Sequence, residues 1–175
     1  MKYTVHGPFE IHKQKNGLVD RSSQAKNEFW DRAREEDGSL PSACGCYLFA
    51  VRAAKGIRPW YVGLAERQSF EGECFSSHKL TIYNDVLADR KGTPLLFLVA
   101  KRTTGNKFSR PSKKRHRSSR FLESMLIGIV LDKNSRLMNI QKTKFLKEMS
   151  VPQVINSPQR RPTGPESKFK KTIGS

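Results

Sequence analysis

Apolar residues along the chain gather in a few runs whose period changes, and those runs define the elements. Residues 45–51 (Gly-Cys-Tyr-Leu-Phe-Ala-Val) and 60–63 (Trp-Tyr-Val-Gly) flank a basic, Gly- and Pro-containing stretch at 52–59. Two such runs around a turn-rich stretch predict two strands joined as a hairpin by a longer loop. Residues 93–100 are apolar almost throughout, as in a strand covered on both faces. Tyr3 to Ile11 reads as a short strand around a Gly7-Pro8 turn. Helical spacing is read at 25–36, where Phe29, Trp30 and Ala33 share a face, and again at 66–86, 120–131 and 143–149.

These elements predict an α/β (α+β) fold: a small, mainly antiparallel three-stranded sheet flanked by helices. Residues 1–40 form an N-terminal extension, 41–150 the core, and 151–175 an extended basic C-terminal arm. In the helix at 120–131, Leu122, Met125, Leu126, Ile129 and Val130 predict one buried face. Ile127 and Val130 make the face of Glu123 apolar as well. A carboxylate there is expected to be partly desolvated, which is costly unless it meets a metal, a cation or hydrogen-bond donors. A helix N-terminus holding the carboxylate through its dipole is the alternative.

Charge changes the picture. Lys and Arg number 33 against 16 Asp and Glu, a formal charge of +17, and nucleic acid is the commonest partner of so basic a surface. An acidic membrane face or simple solubility are the plainer alternatives. No run approaches the roughly 18 apolar residues of a membrane span, and the start lacks a signal peptide's apolar stretch, so a cytoplasmic protein with no membrane partner is expected. Three cysteines, an odd number, argue against a disulfide framework. Cys44, Cys46, Cys74 and His78 are zinc-type ligands at spacings that do not suit zinc, and buried free thiols are the better reading.

The excess charge is concentrated. Residues 101–120 hold nine Lys or Arg and no acid, a composition that favours a flexible loop over a packed one. Lys101, Arg102, Lys107, Arg110, Lys113, Lys114, Arg115 and Arg117 are the candidate phosphate contacts, with a solvated insertion or an import signal as the alternatives.

Gly45-Cys46-Tyr47, followed fourteen positions after its tyrosine by Tyr61-Val62-Gly63, resembles the paired signature of the GIY-YIG nuclease family, with Cys46 and Val62 at positions usually occupied by Ile. Glu123-Ser124-Met125-Leu126-Ile127 is similar to the family's metal-binding helix, and Arg136-Leu137-Met138-Asn139 to the segment that closes its core. The resemblance implies a metal-dependent endonuclease acting on nucleic acid, DNA before RNA, with a single Mg²⁺ or Mn²⁺ on Glu123. Tyr47 would receive a proton from the attacking water, its pKa lowered beside the cation, and Tyr61 would orient water or phosphate. The family's helix Arg, followed four residues later by His, corresponds here to Cys74 and His78. Arg67, or Lys79, would then supply the missing cation beside His78. Asn139 is otherwise a turn residue or a helix cap. A second function class follows from the same residues: a nucleic-acid-binding module that keeps the fold without turnover. A basic structural protein without an active cleft is the third.

Overall fold

A computed structural model describes residues 1–54, 56–114, 116–151 and 161–173. The chain divides into two compact units, Met1–Met138 and Asn139–Ser175. The first is built on a four-stranded sheet of order β1-β4-β2-β3, in which every pairing is antiparallel. The strands are β1 (Lys2–Glu10), β2 (Gly45–Ala53), β3 (Gly56–Ala65) and β4 (Thr93–Arg102). The antiparallel α+β architecture is as expected from the sequence, but the sheet has four strands where a three-stranded sheet was predicted. The added one is β1: residues 2–10 hydrogen-bond along β4 from Lys2↔Arg102 to Glu10↔Leu95, so the N-terminal residues belong to the sheet.

The hairpin is tighter than its loop composition suggested, because β2 runs on to Ala53 and β3 begins at Gly56. Pro59, which has no N–H to give a ladder, is accommodated on edge strand β3 where the register slips between Phe49 and Ala50.

Helix α1 (Ser23–Glu36) starts where Ser22 accepts from the Ala25 N–H and buries Phe29, Trp30 and Ala33, as its pattern predicted. The region 66–86 is two helices instead of one. Ser69 accepts from the Gly72 N–H and caps the short α2 (Phe70–Glu73), and α3 (Ser77–Asp89) follows after a turn. Side chains alternate along a strand, so Tyr47, Phe49 and Val51 of β2 share one face with Leu96, Leu98 and Ala100 of β4. With Phe29, Trp30, Tyr83 and Leu87 they form the main core cluster. Phe49 stacks on Tyr83 at 4.1 Å, and Phe29 meets Trp30 and Phe75 edge-on at 4.9 and 4.8 Å; each such aromatic pair adds about 0.5–1.5 kcal/mol to burial.

Helix α4 (Arg117–Lys133) packs on β3 and β2 and buries Ser119, Glu123, Ile127 and Val130. The buried stripe is therefore the one carrying Glu123. Met125 and Ile129, predicted inside, are 48% and 58% exposed.

In the second unit, α5 (Ile140–Glu148) covers the predicted amphipathic segment. The C-terminal region expected to be extended contains α6 (Gly164–Ile173), whose start is fixed by a Glu166 carboxylate accepting from the Thr163 N–H at 2.7 Å. Residues 152–160, 174 and 175, also part of that predicted arm, lie outside the described residues.

One glycine sets the packing between the hairpin strands. Gly63 is the cross-strand partner of Tyr47, and a methyl group placed on it would overlap the Tyr47 ring. Gly63→Ala is expected to cost about 1–3 kcal/mol in urea unfolding, and most of that loss should vanish in a Tyr47→Leu background. A purely additive double-mutant cycle would show that the ring does not bear on this glycine.

Candidate functional site

The two tyrosines of the hairpin are brought together on the α1/α3 face, with ring centroids 6.2 Å apart. The cation beside them is Lys79, in the first turn of α3. Its Nζ donates to the Tyr61 hydroxyl at 2.8 Å and lies 3.5 Å from a Glu73 carboxylate oxygen. Burial lowers the Lys79 pKa, but the Tyr61 hydrogen bond and the Glu73 charge outweigh it, and the net shift is upward. Lys79 thus stays charged. Cys74 closes α2 as its C-cap and is fully buried.

Tyr47 differs from the expectation drawn from the resemblance. It is wholly buried, and its hydroxyl has no hydrogen-bond partner among the described residues. Burial, followed by the neighbouring Tyr83, Cys74, Tyr61 and Glu73 groups, pushes its pKa well above the ordinary phenol value. A lowered pKa is therefore not what this environment gives; the phenol stays neutral.

Glu123 is buried, as predicted, but on another side of the sheet. The Cys46 thiol donates to the Ser119 carbonyl at 3.3 Å, which seats the Ser119–Glu123–Ile127 stripe of α4 on the Cys46 face. Tyr47, next along the strand, points the opposite way. The acid whose field reaches Tyr47 is Glu73. These residues do not fit a single-metal centre shared by Glu123 and the phenols, and among the described residues no group of three or more His, Cys, Asp or Glu is placed to hold a metal ion.

The remaining predicted residues are dispersed. Arg67 is exposed in the bend before α2, in keeping with Ser69 as the cap, and His78 is exposed in the first turn of α3. Asn139 opens the second unit immediately before α5, its carbonyl accepting from the Thr143 N–H at 3.0 Å.

The basic segment is more ordered than its composition predicted, and a single acid explains much of that. Glu66, 6% exposed at the end of β3, accepts from the His116 N–H and forms a forked pair with Arg120 at 2.7 to 3.1 Å. The Arg120 hydrogen bonds lead in holding its carboxyl below the ordinary range, against burial. Further along, Phe108 is buried under Arg102, whose guanidinium lies 3.7 Å from the ring centroid. Ser109 exchanges backbone hydrogen bonds with Cys44 and Lys101, and Ser112 donates to the Glu66 carbonyl. Together these ties leave Lys107, Arg110, Lys113, Lys114 and Arg117 exposed on a held backbone. Six of these cations line two cavities: Lys101, Lys114 and Arg117 one, and Arg102, Lys107 and Arg110 another. Arg115 lies outside the described residues.

Sequence reasoning did not single out Glu73, Glu66 or Arg120. The Glu73–Lys79 pair was hidden by the turn between two helices, and Glu66 by its long reach to Arg120. No family model matches the chain, and no curated protein or solved structure matches it either.

The orphaned hydroxyl carries a prediction about stability. A buried, unsatisfied polar group costs about 1–3 kcal/mol, so Tyr47→Phe should raise stability by about 1 kcal/mol, seen as a higher urea midpoint at unchanged m-value. A drop in stability would mean that the hydroxyl is partnered in solution.

Proposed function

We propose that this protein is an intracellular nucleic-acid-binding module of GIY-YIG-like architecture, with DNA the first polymer to test on the strength of the hairpin signature. The observation that supports it is the held basic segment. Lys101, Arg102, Lys107, Arg110, Lys113, Lys114 and Arg117 follow one another without an intervening acid, on a backbone already tied to Glu66 and Cys44. Cations presented on an ordered backbone lose less conformational freedom on binding than the same cations on a free loop. Phosphate contacts of this kind give affinity and register without sequence preference.

Ala substitutions at Lys113, Lys114 and Arg117, all exposed, should weaken duplex binding to a similar extent whatever the sequence. Each should also lower the slope of log K against log salt by about 0.9. Gel-shift or anisotropy titrations over a salt series measure both, and an unchanged slope in the triple variant would remove these cations from the interface.

Phosphodiester hydrolysis is the second reading, favoured by the Lys79 ammonium on the Tyr61 hydroxyl beside Glu73. A phenol held by a fixed cation is suited to orienting water or a phosphate oxygen. On this reading, purified protein nicks plasmid with Mg²⁺ or Mn²⁺, and Tyr61→Phe and Lys79→Met each lose at least tenfold in rate, about 1.4 kcal/mol of transition-state stabilisation. Glu123→Ala then reports whether that carboxylate acts at all. Wild-type protein that leaves plasmid intact, or variants that nick as fast as wild type, would end this reading.

A further inference from the structure

We infer that the cavity between α4 and the β1–β4 end of the sheet binds single-stranded nucleic acid, taking an unstacked base on Phe121 while the surrounding cations hold its phosphates. The inference rests on the proposed nucleic-acid binding and adds which form of the polymer is bound and where.

The cavity measures roughly 800 Å³ and is lined by Tyr3, Lys101, Lys114 and Arg117 together with Phe121 and Met125. Phe121 and Met125, one helical turn apart, are 69% and 48% exposed. Large apolar side chains left open amid cations gain nothing from duplex phosphates, whose bases are stacked away. The face of an unpaired base covers such a surface, and its phosphate satisfies the charge. Among the described residues no carboxylate lines the cavity, so charge complementarity points to a polyanion as the occupant.

The site is also built. The Tyr3 hydroxyl donates to Ser118 Oγ at 3.1 Å and is hydrogen-bonded to Ser119 Oγ at 3.0 Å, which ties strand β1 to the first turn of α4. The Lys101 Nζ lies 3.3 Å from His116 Nδ1, and the His116 N–H is anchored on Glu66. By strand alternation Tyr3 and Lys101 lie on the Cys46 face, since they pair with each other and lie two residues from Val5 and Val99, the pair in register with Cys46. That face is incompletely covered near the cavity: Val5 is 67% exposed, and Phe97 and Val99 are only half-buried.

Anisotropy titrations with a labelled short single strand and its matching duplex, using the full chain, test the inference. Wild type should bind the single strand about tenfold more tightly. Phe121→Ala should lose about tenfold for the single strand, the order that one base–aromatic stack is worth, and leave duplex affinity unchanged. Phe121→Trp should retain binding. Thermal unfolding of the Phe121 variants should match wild type, because the side chain is exposed. Equal affinity for duplex and single strand, or an equal loss for both in Phe121→Ala, overturns the inference and leaves the wider binding proposal standing. Binding of neither form removes both. Sedimentation supplies the last arm: a dimer that Phe121→Ala converts to monomer without loss of single-strand affinity would assign the surface to a second copy of the chain and overturn the inference.

Discussion

The alternation of side chains along β2 is the constraint on which the rest of this structure turns. Cys46 and Tyr47 are neighbours, so one must face each side of the sheet. The partners of each follow from that. Tyr47 enters the aromatic core with Phe49, Tyr83 and the residues of α1, and Cys46 meets the first turn of α4 through the Ser119 carbonyl. A one-residue slip in register would exchange the two environments. It is resisted on one side by the fit of the Tyr47 ring over Gly63, and on the other by the continuous pairing of β2 with β4 from Gly45 to Arg52.

A second interaction carries the electrostatics. Seventeen excess positive charges repel one another, and a segment as basic as 101–120 would by composition stay loose. Glu66 alters this because it lies at the end of β3, where one buried carboxylate can accept from the His116 backbone and fork with Arg120. A buried acid is tolerable only when its oxygens are satisfied, and here the donors come from the segment it restrains. Phe108, packed against His6 at 5.4 Å and covered by Arg102, does the same for the first half of the segment.

Much of the first unit was legible in the sequence. Phe29, Trp30 and Ala33 form the buried face of α1 as their spacing required, and the two hairpin strands and the apolar β4 lie where their patterns put them. The misreadings have physical causes. Strand β1 has few buried positions, with His6 and Phe9 inside but Val5 outside, so it shows no clean two-residue period; its place comes from backbone pairing with β4, which composition does not encode. The helix at 120–131 is apolar nearly all round. Spacing alone could not decide whether the sheet meets the Glu123 stripe or the Met125 and Ile129 stripe. The turn that divides 66–86 into α2 and α3 and the union of Lys79 with Tyr61 were not legible, the latter because it joins residues eighteen apart through a turn of undetermined direction.

The division of the sheet into two faces also separates two kinds of chemistry. On the α1/α3 face, burial keeps the Tyr47 phenol neutral, and the Lys79–Glu73 pair is largely withdrawn from solvent. Electrostatic effects there are strong but local, because low polarity strengthens near contacts and the opposite charges cancel at a distance. On the Cys46 face, Lys101, Lys114 and Arg117 border an open, apolar-floored cavity. Charge of one sign without a counter-ion acts over a Debye length of about 8–10 Å and is salt-sensitive. The long-range field therefore lies on the open face and the short-range one on the closed face. A strand held in the open cavity would have to pass an edge of the sheet before its backbone met the Tyr61 hydroxyl. On the hairpin side that edge is β3, which carries Tyr61 toward one face and, two residues beyond its Gly63, Ala65 and then Glu66 toward the anchor of the basic segment. The two chemistries are joined through β3, and a change in its twist would move both.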